Sequence, residues 1–138
     1  MDHKGVGYEQ ITVNLMKGEQ QSPENLAVNR QGLVPVLKLN DSQLLVQSGA
    51  ILEWLDENFP EPALHPTDSV ERAGVRGLCH IISCDIHPIN NLRTLKYLTN
   101  ELGISEEQKT QWYQHWIELG FEALEAQINA TPYTCGGR

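Results

Sequence analysis

Pro60, Pro62 and Pro66 fall within one short stretch, FPEPALHP, and divide the chain into parts with different hydrophobic periods. Proline donates no backbone hydrogen bond and its ring clashes inside a helix, so neither a helix nor a central strand runs through such a stretch. Before it, apolar residues alternate with polar ones or form short blocks bounded by turn residues. After it, they recur every three or four residues. This pattern predicts a mixed strand-and-helix part, a linker at about 60–67, and an all-helical part.

In the first part, Ile11, Val13 and Leu15 alternate with polar neighbours and predict a strand over 8–15. Ser22 followed by Pro23 predicts the start of a short helix over 22–29. The block LVPVLKL at 33–39 reads as a strand, Asn40-Asp41-Ser42 as a turn, and Gln43 to Val46 as the returning strand of a hairpin. Ser48 is placed to cap a helix carrying Ile51, Leu52, Trp54, Leu55 and Phe59, which Pro60 ends.

In the second part, Asp68 with Glu71 has the form of a capping box. The helix it opens runs from about Ser69 to Leu102, interrupted by Pro88 and closed by Gly103. Ser105 with Gln108 is a second capping box. Trp112, Trp116, Phe121, Leu124 and Ile128 then form an apolar stripe to about Asn129, and TPYTCGGR reads as a loop.

A net charge of −8 disfavours a nucleic-acid surface, which needs clustered basic residues. No run of about 18 apolar residues predicts a membrane span. The start MDHKGVGYEQ has no apolar signal core, and the three cysteines, Cys79, Cys84 and Cys135, include no CxxC pair. These features suit a reduced, cytosolic setting. Cys79, His80, Cys84 and His87 are the residues that could ligate a metal, but they lack the short paired spacing of a structural zinc site, so no metal is expected.

The stretch CDIHPINNLR, Cys84 to Arg93, is polar where a packed helix should be apolar. Pro88 cannot donate to the Cys84 carbonyl, so the helix must bend or open there. His87 and Asn91 are four residues apart and would share a helical face, with Arg93 beyond Asn90. A kink with solvated polar groups and a cleft-lining site are both compatible with this spacing.

Four pieces now stand in a fixed order: LVPVL, QSGAILEWLDENFPEPALHP, ERAGVRGLCHIISCDIHPINNLRTLKYL and WYQHWIELGFEALE. Together they resemble the zeta class of glutathione transferases, whose best-known members are maleylacetoacetate isomerases. The resemblance covers nearly the whole chain. It implies an α/β part, an incomplete thioredoxin-like N-terminal domain over 1–62, followed by an all-α glutathione-transferase C-terminal domain over 67–138, usually in a homodimer. It implies glutathione as cofactor and a small dicarboxylate-type substrate. Neither nucleic acid nor a membrane is an expected partner.

Residue by residue, the resemblance implies a cis bond between Val34 and Pro35 that turns the Val34 main chain toward the cysteinyl part of glutathione; a plain edge strand is the alternative. Gln47 and Ser48 would grip the γ-glutamyl carboxylate at a helix N-terminus, a role compatible with simple capping. Asp85, His87 and Asn91 would contact glutathione, Asp85 from across the dimer. Arg93 would pair with the substrate carboxylate. Gln21 is a further glutathione contact by family position.

Family members begin with a strand and a helix carrying a motif of the form SSxxxR, whose serine stabilises the glutathione thiolate. Here HKGVGYEQ matches the end of that helix, so no catalytic residue is assigned within the chain. The first strand normally lies between the second and third, and without it 8–15 has no neighbour to pair with. The family also continues past PYTCGG. The resemblance therefore implies a piece of a longer protein, with impaired activity by itself. Three functions stay open: maleylacetoacetate isomerisation, maleylpyruvate isomerisation or general glutathione transfer, and a non-catalytic glutathione-binding or dimerisation role.

Overall fold

The computed structural model describes residues 1–128 of the chain. The chain divides into two compact units, Met1–Leu64 and His65–Arg138.

The first unit is built on a hairpin and one helix. Strand β1 (Val36–Lys38) pairs antiparallel with β2 (Leu44–Val46), in the register Val36↔Val46, Leu37↔Leu45, Lys38↔Leu44. The turn closes as its composition predicts: the Asn40 side chain accepts from the Ser42 amide at 3.0 Å, and Lys38 pairs with Asp41 at 2.8 Å. Helix α1 (Pro23–Val28) has Ser22 as its cap, accepting from the Asn25 amide at 3.3 Å, with Pro23 at the first position. Helix α2 (Ser48–Asn58) packs on β2 and buries Ile51 and Leu55. Trp54 and Phe59 meet edge to face at 6.1 Å.

Lys4 ties the start of this unit to its end. Its ammonium donates to Asp56 Oδ1 at 2.7 Å, to the Phe59 carbonyl at 2.6 Å and to the Pro62 carbonyl at 2.9 Å. A buried ammonium needs its three donors satisfied, and the carbonyls past a helix C-terminus are free to accept and carry partial negative charge. Asp56 Oδ1 also accepts from the Leu64 amide at 2.8 Å, so one carboxylate closes both ends of the unit.

Three expectations for this unit are corrected. The segment 8–15 joins no ladder, and Ile11 stands 79% exposed. Its end folds into a turn instead, because the Asn14 side chain accepts from the Met16 and Lys17 amides at 3.1 and 3.2 Å. The strand expected over 33–39 shortens to Val36–Lys38, since Pro35 contributes no ladder donor. Ser48 is not the cap of α2: Gln47 occupies that position and Ser48 is the first helical residue.

The second unit is helical. Helix α3 (Ser69–His80) is capped by Asp68, which accepts from the Val70 and Glu71 amides at 2.9 Å each. The structure thus shows the Asp68 half of the expected box. The amides of Glu71 and Val70 hold the Asp68 carboxyl below its ordinary value. A π-helical segment follows at Ile81–Ile86, then helix α4 (His87–Asn90), helix α5 (Leu92–Asn100) and the long helix α6 (Glu106–Glu125). Gly103, at φ 67°, closes α5 and lets the Ile104 amide return to the Leu98 carbonyl. Ser105 and Gln108 form the expected reciprocal capping box of α6.

The interruption differs from expectation in place and kind. The helix widens before Pro88, the His87 amide bonding to the Ile82 carbonyl five residues back. That shift leaves a carbonyl out of register, and Pro88 is the residue that has no N–H to offer it. The chain leaves helical geometry only at Asn91, which is extended at φ −74°, ψ 162°. The Asn91 side chain then caps α5 through the Arg93 and Thr94 amides at 3.1 and 3.2 Å.

Helix α6 packs against the π segment, α4 and α5, burying Ile86 and Leu124. Phe121, expected in the apolar stripe, is 49% exposed. Helix α6 ends at Glu125, short of Asn129. The expected loop TPYTCGGR, with Cys135, lies outside the described residues. Among the described residues no helix is long and apolar enough to cross a membrane.

Gly120 lets Ile86 press against α6: a Cβ there would overlap the Ile86 side chain, whereas a Cβ at Gly74 in α3 would meet nothing within 4 Å. Gly120→Ala is therefore expected to destabilise the protein by about 1–3 kcal/mol through overpacking. Gly74→Ala should stabilise it by up to about 1 kcal/mol through helix propensity. Urea unfolding followed by circular dichroism checks this, and an equal response of the two variants would contradict it.

Candidate functional site: the open end of the hairpin and the broken helix

In the first unit the hairpin register brings the expected residues together. Val36 and Val46 form the last pair at the end away from the turn, so Pro35 and Gln47 flank the same rung. The Val34–Pro35 peptide is cis, as the resemblance implies. Val34, Pro35, Gln47 and Ser48 are all exposed.

The first intrahelical bond of α2 runs from the Ile51 amide to the Gln47 carbonyl at 3.0 Å. The Ser48, Gly49 and Ala50 amides therefore precede the hydrogen-bonded ladder and face solvent with the positive end of the helix dipole. This arrangement attracts a carboxylate. Gln47 takes φ 70°, a conformation that costs a non-glycine residue about 1–3 kcal/mol and persists only where its surroundings impose it. The hairpin fixes it on one side and α2 on the other, and its Nε2 donates to Gln31 Oε1 at 3.0 Å.

The loop feeding Val34 is organised by Asn29, which motif reasoning did not single out. Asn29 is buried; its Nδ2 donates to the Leu33 carbonyl at 2.9 Å and its Oδ1 accepts from the Gln31 amide at 3.1 Å. The signal was available in the order Asn29-Arg30-Gln31-Gly32, an asparagine-led turn ending in glycine. Gln21 lies against this loop, donating through Nε2 to the Gly32 carbonyl at 3.1 Å. Gly32, at φ 60°, leaves no room for a Cβ beside the Gln21 amide.

In the second unit the expected residues are spread along the broken helix. Asp85 is exposed near the end of the π segment and borders a groove of about 220 Å³ with Ile81, Ile86, Trp116 and Leu119. His87 is exposed at the start of α4, and Asn91 is the cap of α5. The shared helical face expected for His87 and Asn91 does not form, because the helix ends between them. Arg93 is exposed in the first turn of α5, where with Thr94 and Tyr97 it lines a separate open hollow of about 380 Å³. Among the described residues, no group of three or more His, Cys, Asp or Glu is arranged to hold a metal.

Residues 1–63 match the family described as Glutathione S-transferase, N-terminal domain. The chain is 42% identical over 98% of its length to a maleylacetoacetate isomerase of Pseudomonas aeruginosa, of which it covers 64%. It superposes with a TM-score of 0.92 at 44% identity on the holo structure of a maleyl pyruvate isomerase described as a bacterial glutathione-S-transferase in Zeta class, over 99% of this chain and 66% of that one. The first 63 residues belong to the glutathione S-transferase N-terminal-domain family, and the chain as a whole is similar to zeta-class members. A maleylacetoacetate isomerase from Methylobacterium extorquens AM1, solved with bound malonate and GSH, matches with a TM-score of 0.90 at 32% identity, over 96% of this chain and 62% of that one. The chain spans 53–64% of the length of eight curated relatives it matches. The fold class is that of the family, a thioredoxin-like part followed by helices.

Asn29→Ala removes two side-chain bonds that shape the approach to Val34. It is expected to destabilise the protein by about 1–3 kcal/mol, read by urea unfolding. An unchanged midpoint would show that the loop does not depend on Asn29.

Proposed function

We propose that the chain carries the glutathione-binding and substrate-orienting groups of a glutathione-dependent isomerase that converts maleylacetoacetate to fumarylacetoacetate. The observation that carries this reading is the placement of the Val34 main chain and the first amides of α2 at one hairpin end. In it, residues 1–62 hold the tripeptide. Ser48 and the α2 N-terminus take the γ-glutamyl carboxylate, Gln47 supports them, and the Val34 edge takes the cysteinyl part. Gln21 is assigned as a further contact.

Residues 67–138 supply Asp85, His87 and Asn91 toward glutathione and the Arg93 guanidinium toward a substrate carboxylate. Glutathione, when bound, supplies a thiolate that adds to the cis double bond, permits rotation about the resulting single bond and leaves again, giving the trans isomer. The chain's own part is to orient the two molecules and to balance the charge of the carboxylates. Maleylpyruvate is the second substrate reading, favoured by the TM-score of 0.92 to a maleyl pyruvate isomerase. The reading extends to a cytoplasmic homodimer in the breakdown of phenylalanine and tyrosine, which the resemblance to the zeta class implies.

Calorimetry with glutathione and with cysteinylglycine, which lacks the γ-glutamyl group, tests the binding half. Losing a carboxylate held by amides and a helix end should weaken binding by about 10–100-fold. Equal affinity for the two peptides, or none for glutathione, would overturn the reading. Incubation with maleylacetoacetate should yield fumarylacetoacetate only when glutathione is present, and weakly, because no thiolate-stabilising residue is assigned within the chain. A stable glutathione adduct as end product would mark a conjugating transferase instead.

A further inference from the structure

The break at Asn91 leaves the last carbonyls of α4 without the amides that a continuing helix would have supplied. Two of them are met from elsewhere. The Pro88 carbonyl accepts from Thr94 Oγ1 at 3.0 Å, and the Ile89 carbonyl accepts from Trp112 Nε1 at 3.0 Å. Asn90, buried at 9% exposure, adds a bond in the other direction, its Nδ2 donating to the Tyr113 carbonyl at 3.3 Å. Helix α4 has four residues and α6 has 20, so α6 is the rigid partner and α4 is the part held. From α4 the constraint passes to α5 by Thr94 and by the Asn91 cap on the Arg93 amide. Thr94 also lines the hollow in which Arg93 sits.

We infer that Trp112 and Asn90 are positioning residues for Arg93, holding the first turn of α5 so that its guanidinium meets a substrate carboxylate. The inference rests on the assignment of Arg93 to that carboxylate. The Trp112 ring also packs edge to face on Trp116 at 5.7 Å, and a phenylalanine would preserve part of that contact. What phenylalanine cannot supply is the directed N–H, the part of Trp112 that fixes α4.

A double-mutant cycle on the full chain tests this, with malonate as the probe, saturating glutathione present and affinity read by calorimetry. Arg93→Ala should weaken malonate by about 10–100-fold, as expected for loss of a charge-assisted bond. Trp112→Phe should weaken it by about 3–10-fold, of the order of one lost neutral hydrogen bond. In the double variant Trp112→Phe should add less than about twofold to the Arg93→Ala loss, because a residue acting through Arg93 has nothing left to position. A merely structural role would give losses that multiply. Asn90→Leu, which removes the other anchor at similar volume, serves as the second variant if Trp112→Phe does not fold. Multiplying losses would overturn the inference. So would unchanged malonate affinity in Trp112→Phe and Asn90→Leu while Arg93→Ala binds weakly. An Arg93→Ala chain that binds malonate as the parent does would instead overturn the assignment of Arg93, and the inference with it.

Discussion

The pairing of Val36 with Val46 is the constraint on which the first unit's site depends. Proline supplies no ladder donor, so β1 begins after Pro35. Directly across the ladder, β2 has to leave the sheet at Val46 and enter α2. Gln47 absorbs that change of direction with φ 70°. The result puts an exposed main-chain segment and a helix N-terminus beside one rung. An edge offers hydrogen bonds to an extended peptide, and a helix N-terminus offers partial positive charge. A tripeptide with a carboxylate at one end uses both. Moving the register by one residue would turn the hairpin's inward side chains outward and dismantle the arrangement.

The second unit solves a different problem with the opposite means. Its chemistry-bearing stretch is one where the helix is deliberately irregular: widened over Ile81–Ile86, resumed for four residues, and broken at Asn91. An irregular backbone is held only if its displaced carbonyls and side chains find partners. Helix α6 provides them, with Gly120 making room for Ile86 and Trp112 donating to the Ile89 carbonyl. The long regular helix thereby acts as a template for the short irregular ones, and Asp85, His87 and Arg93 are left facing outward.

Much of this was legible in the residues where one local interaction decides the outcome. Ser22 with Pro23, Ser105 with Gln108, the Asn40 turn and Gly103 all do what their side chains or backbone freedom dictate. The motifs VP, QS and DIHPINNLR carried the family. Legibility failed where two local preferences compete. Serine at position 48 looked like a cap, but the hairpin exit places Gln47 there first. Proline 88 looked like the breakpoint, but the widened turn before it accommodates the missing donor, and the side chain of Asn91 claims two amides and ends the helix instead. The apolar alternation of Tyr8 to Leu15 describes a strand only when a neighbour exists to pair with, and no ladder joins it here. Asn29 went unread because its role, bridging a loop to itself, leaves no periodic trace.

The central claim is that the Val34 edge and the α2 N-terminus bind one molecule together. Titrating the ¹⁵N-labelled chain with glutathione and following the amide resonances of Val34, Ser48 and Gly49 tests it most directly. The account predicts that all three shift and saturate with a single dissociation constant. Resonances that stay in place while glutathione binds, or that titrate with separate constants, would contradict it.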